Sequence, residues 1–82
     1  MLTLDLHPIF RSNRDIDNAL RTFIVRAAAS GESSVELIPG KGSGKLRERV
    51  LTFLRQPQVK KLYDRIELDP GNAGRIVVHL HR

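Results

Sequence analysis

The sequence has no cysteine and no tryptophan, and its aromatic residues are one tyrosine and three phenylalanines. Without cysteine there is neither a disulfide framework nor a thiolate metal site. With so few aromatics, Phe10 and Tyr63 are the candidates for stacking against unpaired bases, which favours recognition of a backbone or a shape over readout of a single strand. No apolar run approaches the length of about 20 residues that spans a membrane, and no basic-then-apolar leader opens the chain. A soluble, cytoplasmic protein with no membrane partner is the expectation. Acidic residues are the minority, with 9 Asp and Glu against 14 Lys and Arg. The resulting net charge of +5 suggests a polyanionic partner. The length of 82 residues fits one small domain, residues 1–82.

Hydrophobic periodicity orders the chain. Leu2-Thr3-Leu4-Asp5-Leu6-His7 alternates as a strand does when one face is buried, with the leucines inward, and Pro8 ends it. Ser12-Asn13-Arg14-Asp15 resembles a capping box. Ile16, Leu20, Phe23, Ile24, Ala27 and Ala28 then recur at helical spacing, and Gly31 stops the helix. Residues 34–38 read as a second strand, with Val35 and Leu37 inward. Leu46, Val50, Phe53 and Leu54 form the stripe of a second helix, which Pro57 terminates. A third strand is expected over residues 62–68, with Ile66 and Leu68 inward, and a fourth over residues 75–81. The turn formers Asp69-Pro70-Gly71-Asn72-Ala73-Gly74 join them. The order is βαβαββ. Helical crossovers make the first three strands run the same way, and the short last turn makes the fourth antiparallel to the third. An α/β fold follows: a two-layer sandwich in which a four-stranded mixed sheet carries two helices on one face and leaves a polar face open.

Between the second strand and the second helix lies Ile38-Pro39-Gly40-Lys41-Gly42-Ser43-Gly44-Lys45-Leu46-Arg47. Glycines at alternate positions let backbone approach a ligand, and a helix start offers unpaired N–H groups to an anion. With Lys41, Lys45 and Arg47 beside them, Gly40, Gly42, Ser43 and Gly44 would cradle a phosphate. A flexible connection with solvated cations explains the same residues equally well. The stretch matches neither the P-loop, since Gly44-Lys45 is followed by Leu46, nor the GxGxxG fingerprint.

Ligands of open sheets bind beyond the carboxyl ends of parallel strands. Asp5 and His7, the glycine turn and the loop over residues 69–74 are all expected at that edge. Asp5 and His7 lie two apart on one strand face, so the carboxylate can orient the imidazole or act as a base. Beside a phosphate cradle, this pair suggests phosphodiester cleavage. Residue types alone favour the plainer view, in which Asp5 is a strand-end charge or cap and His7 a loop histidine. Arg11 and Arg75 are candidate contacts to a nucleic-acid backbone at the same edge. His79 and His81 share a strand face but fall toward the other end, so no metal site is assigned to them.

The sequence resembles the Smr (small MutS-related) domain family over nearly its whole length. The resemblance rests on Leu4-Asp5-Leu6-His7, on Ile38-x-Gly40-Lys41-Gly42-x-Gly44-x-Leu46-Arg47, and more loosely on Gly71-x-x-Gly74 followed by Val77-Val78-x-Leu80. It implies a βαβαββ fold with strand order 1-2-4-3, and so places the fourth strand centrally. It also implies nucleic-acid binding and, for several members, endonuclease activity on RNA or DNA, some of it at ribosomes. Asp5 and His7 would be the catalytic pair, and Gly40, Lys41 and Gly42 the substrate loop. Two residues depart from the family pattern. Pro8 stands where a glycine is usual, and Pro39 where a histidine or threonine is usual. The resemblance therefore implies an RNA-cleaving or DNA-nicking enzyme, or a domain that binds nucleic acid without cutting it. A domain that docks a protein is the remaining alternative. RNA is favoured over DNA, no cofactor is implied, and dependence on a divalent metal stays open.

Overall fold

The computed structural model describes residues 2–6, 13–40, 44–69, 71 and 74–81, without the Asn13 side chain. The elements are β1 (Leu2–Asp5), α1 (Asn13–Ala29), β2 (Ser34–Ile38), α2 (Lys45–Leu54), α3 (Pro57–Lys60), β3 (Tyr63–Leu68) and β4 (Ile76–Leu80). The capping-box residue Ser12 lies outside the described residues. At its other end α1 closes as glycine at that position dictates. Gly31 adopts φ 79°, its N–H donates to Ala28 O at 3.2 Å, and Glu32 N–H donates to Ala27 O at 3.1 Å. These two bonds satisfy carbonyls that the helix itself cannot.

The sheet order is β1-β2-β4-β3. β1 pairs parallel with β2, Leu4 opposite Leu37, while β4 runs antiparallel to both β2 and β3. The first three strands therefore point one way, and β4 fills the gap between β2 and β3. The core lies between the inner face of this sheet and the helices. Leu6, Leu20, Ile24, Leu37, Val50, Phe53, Leu54, Ile76 and Val78 are within 1% of complete burial. Each large apolar side chain so removed from water contributes about 1.5–3 kcal/mol. Arg49 fixes α2 to α1: its Nε donates to Asp17 Oδ1 at 3.1 Å, and its Nη2 bonds the other carboxylate oxygen.

Four local expectations change in the folded chain. Pro57 does more than end α2, because it occupies the first turn of the short α3, where a missing N–H costs nothing. Leu2 and Leu68 remain exposed, at the ends of the two edge strands. β3 begins at Tyr63 and carries a register shift between Tyr63 and Arg65. Val77 belongs to the open face by alternation yet is buried. Its cross-strand neighbours there are Glu36 on β2 and Glu67 on β3. The central strand is thus apolar on both faces at that point.

Candidate functional site

The parallel pairing of β1 and β2 ends both strands at one edge of the sheet. Leu6 N–H donates to Ile38 O at 3.0 Å and carries the ladder one step past Asp5. Asp5 pairs in register with Ile38, and it is exposed on the open face. Immediately beyond, Pro39 is buried and Gly40 turns the chain at φ 85°. A residue with a Cβ is strained there, so glycine is required by the backbone as well as tolerated by the ligand edge.

The chain enters α2 through Gly44, which serves as N-cap at φ 87°. Glycine brings no side chain to bond the first N–H groups, and no side-chain cap bond is present. A Cβ built on Gly44 would meet nothing within 4 Å. Among the described residues nothing caps the start of α2, and it carries roughly half a positive charge from the aligned peptide dipoles. Lys45 is exposed on the first helical residue. Arg47, two residues on, is partly buried, and its Nε is shut off from solvent with no hydrogen-bond partner. Leu46 between them enters the core and fixes the helix start against the sheet.

The third wall comes from the β3–β4 connection. Leu68 pairs with Ile76, so Asp69 and Arg75 continue the two strands toward the Asp5 edge. The Asp69 carboxylate accepts the Gly71 N–H at 2.9 Å and shapes the turn. Arg75 does not project freely. Its Nε donates to Glu36 Oε2, and its Nη1 lies 3.7 Å from Asp69 Oδ2. Glu36 also accepts the Thr3 hydroxyl at 3.0 Å. The Arg75 hydrogen bond, aided by the one from Thr3, holds the Glu36 carboxyl below its ordinary range. The same bond raises Arg75 further above its ordinary value.

Of the sequence-based candidates, Asp5, Gly40, Gly44, Lys45, Arg47 and Arg75 are brought to this edge. His7, Arg11, Lys41, Gly42 and Ser43 lie outside the described residues, as do Pro8 and Phe10. Tyr63 is not available for base stacking. It is buried in the core, its hydroxyl donates to Leu54 O at 2.6 Å at the end of α2, and burial pushes its phenol upward. His79 sits 3.1 Å from Glu67 Oε1 across the β3–β4 pair, and His81 lines a shallow depression with Ala28, Gly31 and Glu32 at the opposite end. Among the described residues no group of three or more His, Cys, Asp and Glu is placed to hold a metal ion. None of the helices is long and apolar enough to cross a membrane, again among the described residues. The Glu36–Arg75 pair was not legible in the sequence. Its only local signal is that both residues fall on the polar face of their strands.

Comparison with known proteins agrees with the fold and strand order. The family model described as the Smr domain matches residues 4–81. The solved Smr domain of Thermus thermophilus MutS2 superposes with a TM-score of 0.82 at 26% identity, over 100% of each chain. A search of curated proteins gives no match.

Proposed function

The chain belongs to the Smr domain family, whose members bind nucleic acid, and from that premise we propose that it binds RNA at the glycine-loop edge and cleaves it. The observation that carries the proposal is that a strand-end carboxylate, Asp5, shares that edge with a cation-flanked helix start at Gly44–Arg47 whose N-cap residue makes no side-chain cap bond. In this reading the phosphate is held by the first N–H groups of α2 and by Lys45, with Lys41 adding charge from the loop. Held so, the developing charge on its oxygens is stabilised as the reaction proceeds.

Asp5 and His7 divide the proton transfers. One accepts the proton of the ribose 2′-hydroxyl as its oxygen attacks phosphorus. The other gives a proton to the departing 5′-oxygen, so the products are a cyclic 2′,3′-phosphate and a 5′-hydroxyl. DNA lacks that hydroxyl and would need water as the nucleophile, which is why RNA is preferred. The second reading, binding without cleavage, draws on Pro39, which is buried and brings neither hydroxyl nor imidazole to the scissile phosphate. Binding to a protein partner instead would leave the uncapped helix start without a role.

End-labelled structured RNA and duplex DNA are the substrates for the test. Wild type, Asp5→Asn and His7→Ala are compared for cleavage, and binding is measured in parallel by fluorescence anisotropy. Loss of cleavage in both variants with binding retained supports the enzyme. Binding without cleavage in the wild type leaves the second reading. Absence of binding at low salt refutes both. Lys45→Ala should weaken binding and reduce the slope of log K against log salt by about 1.

A further inference from the structure

Arg75 is the natural candidate for a phosphate contact by charge and place, yet its neighbours give it different work. β1, β2 and β4 pair in register, so the open face carries cross-strand rows of side chains. One row contains Thr3, Glu36, Val77 and Glu67. The next row toward the site begins with the pair Asp5 and Ile38. Continuing the same registers by one step puts Arg75 beside Ile38 and Asp69 beyond it. Glu36 thus stands one row back from Asp5 on the neighbouring strand, about 8 Å away by strand spacing and rise. Asp69 stands at the far end of the Asp5 row. Left unpaired, these two carboxylates would set negative charge along the edge where a phosphate has to arrive.

Arg75 meets both of them. Its Nε is bonded to Glu36 and its Nη1 faces Asp69 at 3.7 Å, with the guanidinium about two-thirds withdrawn from solvent. Through Glu36 the pairing extends to the Thr3 hydroxyl on β1, so one arginine links side chains of β1 and β2 to the β3–β4 turn. The other cations described at this edge, Lys45 and Arg47, have no ion pair among the described residues. Arg75 is set apart from them by its two carboxylate neighbours.

We infer that Arg75 is a positioning residue: it offsets the charge of Glu36 and Asp69 and ties Asp69 to β2, so that a nucleic-acid backbone can approach Asp5 without contacting Arg75 itself. This inference rests on the nucleic-acid-binding reading above. It assigns Arg75 an effect that acts through two other side chains, and such an effect can be undone by removing their charge.

The experiment is a charge-rescue series, with binding of one structured RNA measured by anisotropy across a salt titration. Arg75→Met should weaken binding about tenfold at low salt, because one cation is lost and two anions are uncovered within about a Debye length of the site. Arg75→Lys, which keeps the charge, should stay within about threefold of wild type. Adding Glu36→Gln and Asp69→Asn to Arg75→Met should restore affinity to within about twofold, with the wild-type salt slope, since no phosphate contact is removed. Failure of the triple variant to recover, or a slope shallower by about 1, overturns the inference and makes Arg75 a direct contact. Thermal unfolding of each variant confirms a folded chain, and if Arg75→Met alone is unfolded the triple variant is compared directly with wild type, where a slope shallower by about 1 again overturns the inference. A wild type that does not bind is seen in the first titration and removes the parent reading together with the inference. Failed rescue in a wild type that binds removes the inference alone.

Discussion

Gly31 and Gly44 form a natural experiment, because they share a backbone conformation and differ in location. Both sit in the left-handed region, at φ 79° and 87°, and a Cβ added to either would meet no atom within 4 Å. Alanine at either position therefore incurs conformational strain and no steric clash. The left-handed region costs an L-residue about 1–2 kcal/mol. Part of this is offset because alanine also restricts the unfolded chain, by about 0.4–1 kcal/mol. A net loss of about 1 kcal/mol follows at both sites, which for a domain of this size lowers Tm by about 4–8 °C. Function should separate what stability does not. Gly31 closes α1 at the far end of the molecule, whereas Gly44 opens α2 at the proposed phosphate site. Gly31→Ala should bind RNA as wild type does once measured well below its Tm. Gly44→Ala should bind several-fold more weakly, because its methyl group would take up space at the helix start that the proposed phosphate has to enter. Circular dichroism melts and anisotropy titrations read the two effects. Equal loss of affinity in the two variants would refute the placement of the site. An unchanged Tm in Gly44→Ala would refute the backbone argument.

Two further outcomes follow from the hydrogen bonds outside the loop. Tyr63→Phe removes the donor to Leu54 O without opening a cavity and leaves a buried carbonyl at the end of α2 unpaired. It should cost about 1–3 kcal/mol in urea unfolding, with RNA affinity unchanged. Glu36 titrates below its ordinary value in the folded chain, so the stability it contributes is complete above its unfolded value near 4.5 and is lost as pH falls through the lower folded value. Wild type should accordingly lose stability on acidification below that point more steeply than Glu36→Gln, as measured by melts at stepped pH. Parallel curves would show that the Arg75 and Thr3 bonds do not stabilise the carboxylate.

Local patterns carried much of this architecture. The alternation of Val35 and Leu37, the stripe of Leu46, Val50, Phe53 and Leu54, and the stop at Gly31 each depend on residues a few positions apart. They place β2, α2 and the end of α1 where the chain forms them. Two helical crossovers decide the common direction of the first three strands, because a crossover of that length returns the chain parallel. The edge where Asp5, Gly40 and Gly44 meet follows from that direction alone. The central place of β4 came from the family resemblance, as two antiparallel arrangements satisfy the same hydrophobic pattern.

What only the tertiary structure decided is which polar groups are free and which are engaged. Glu36 and Arg75 lie 39 positions apart, and Asp17 and Arg49 lie 32 apart. Nothing in their local sequence distinguishes a paired arginine from an available one. Tyr63 looks like a surface aromatic until the register shift in β3 and the end of α2 place its ring in the core and its hydroxyl on Leu54. Val77 is buried on the nominally open face, at a place in the central strand flanked by Glu36 and Glu67 on the two neighbouring strands. Periodicity is a property of one segment, whereas register and partner choice are fixed only when segments pack together. The sequence by itself determined the elements, their direction and the edge that gathers the glycine loop. Packing determined which charges at that edge remain available to a ligand.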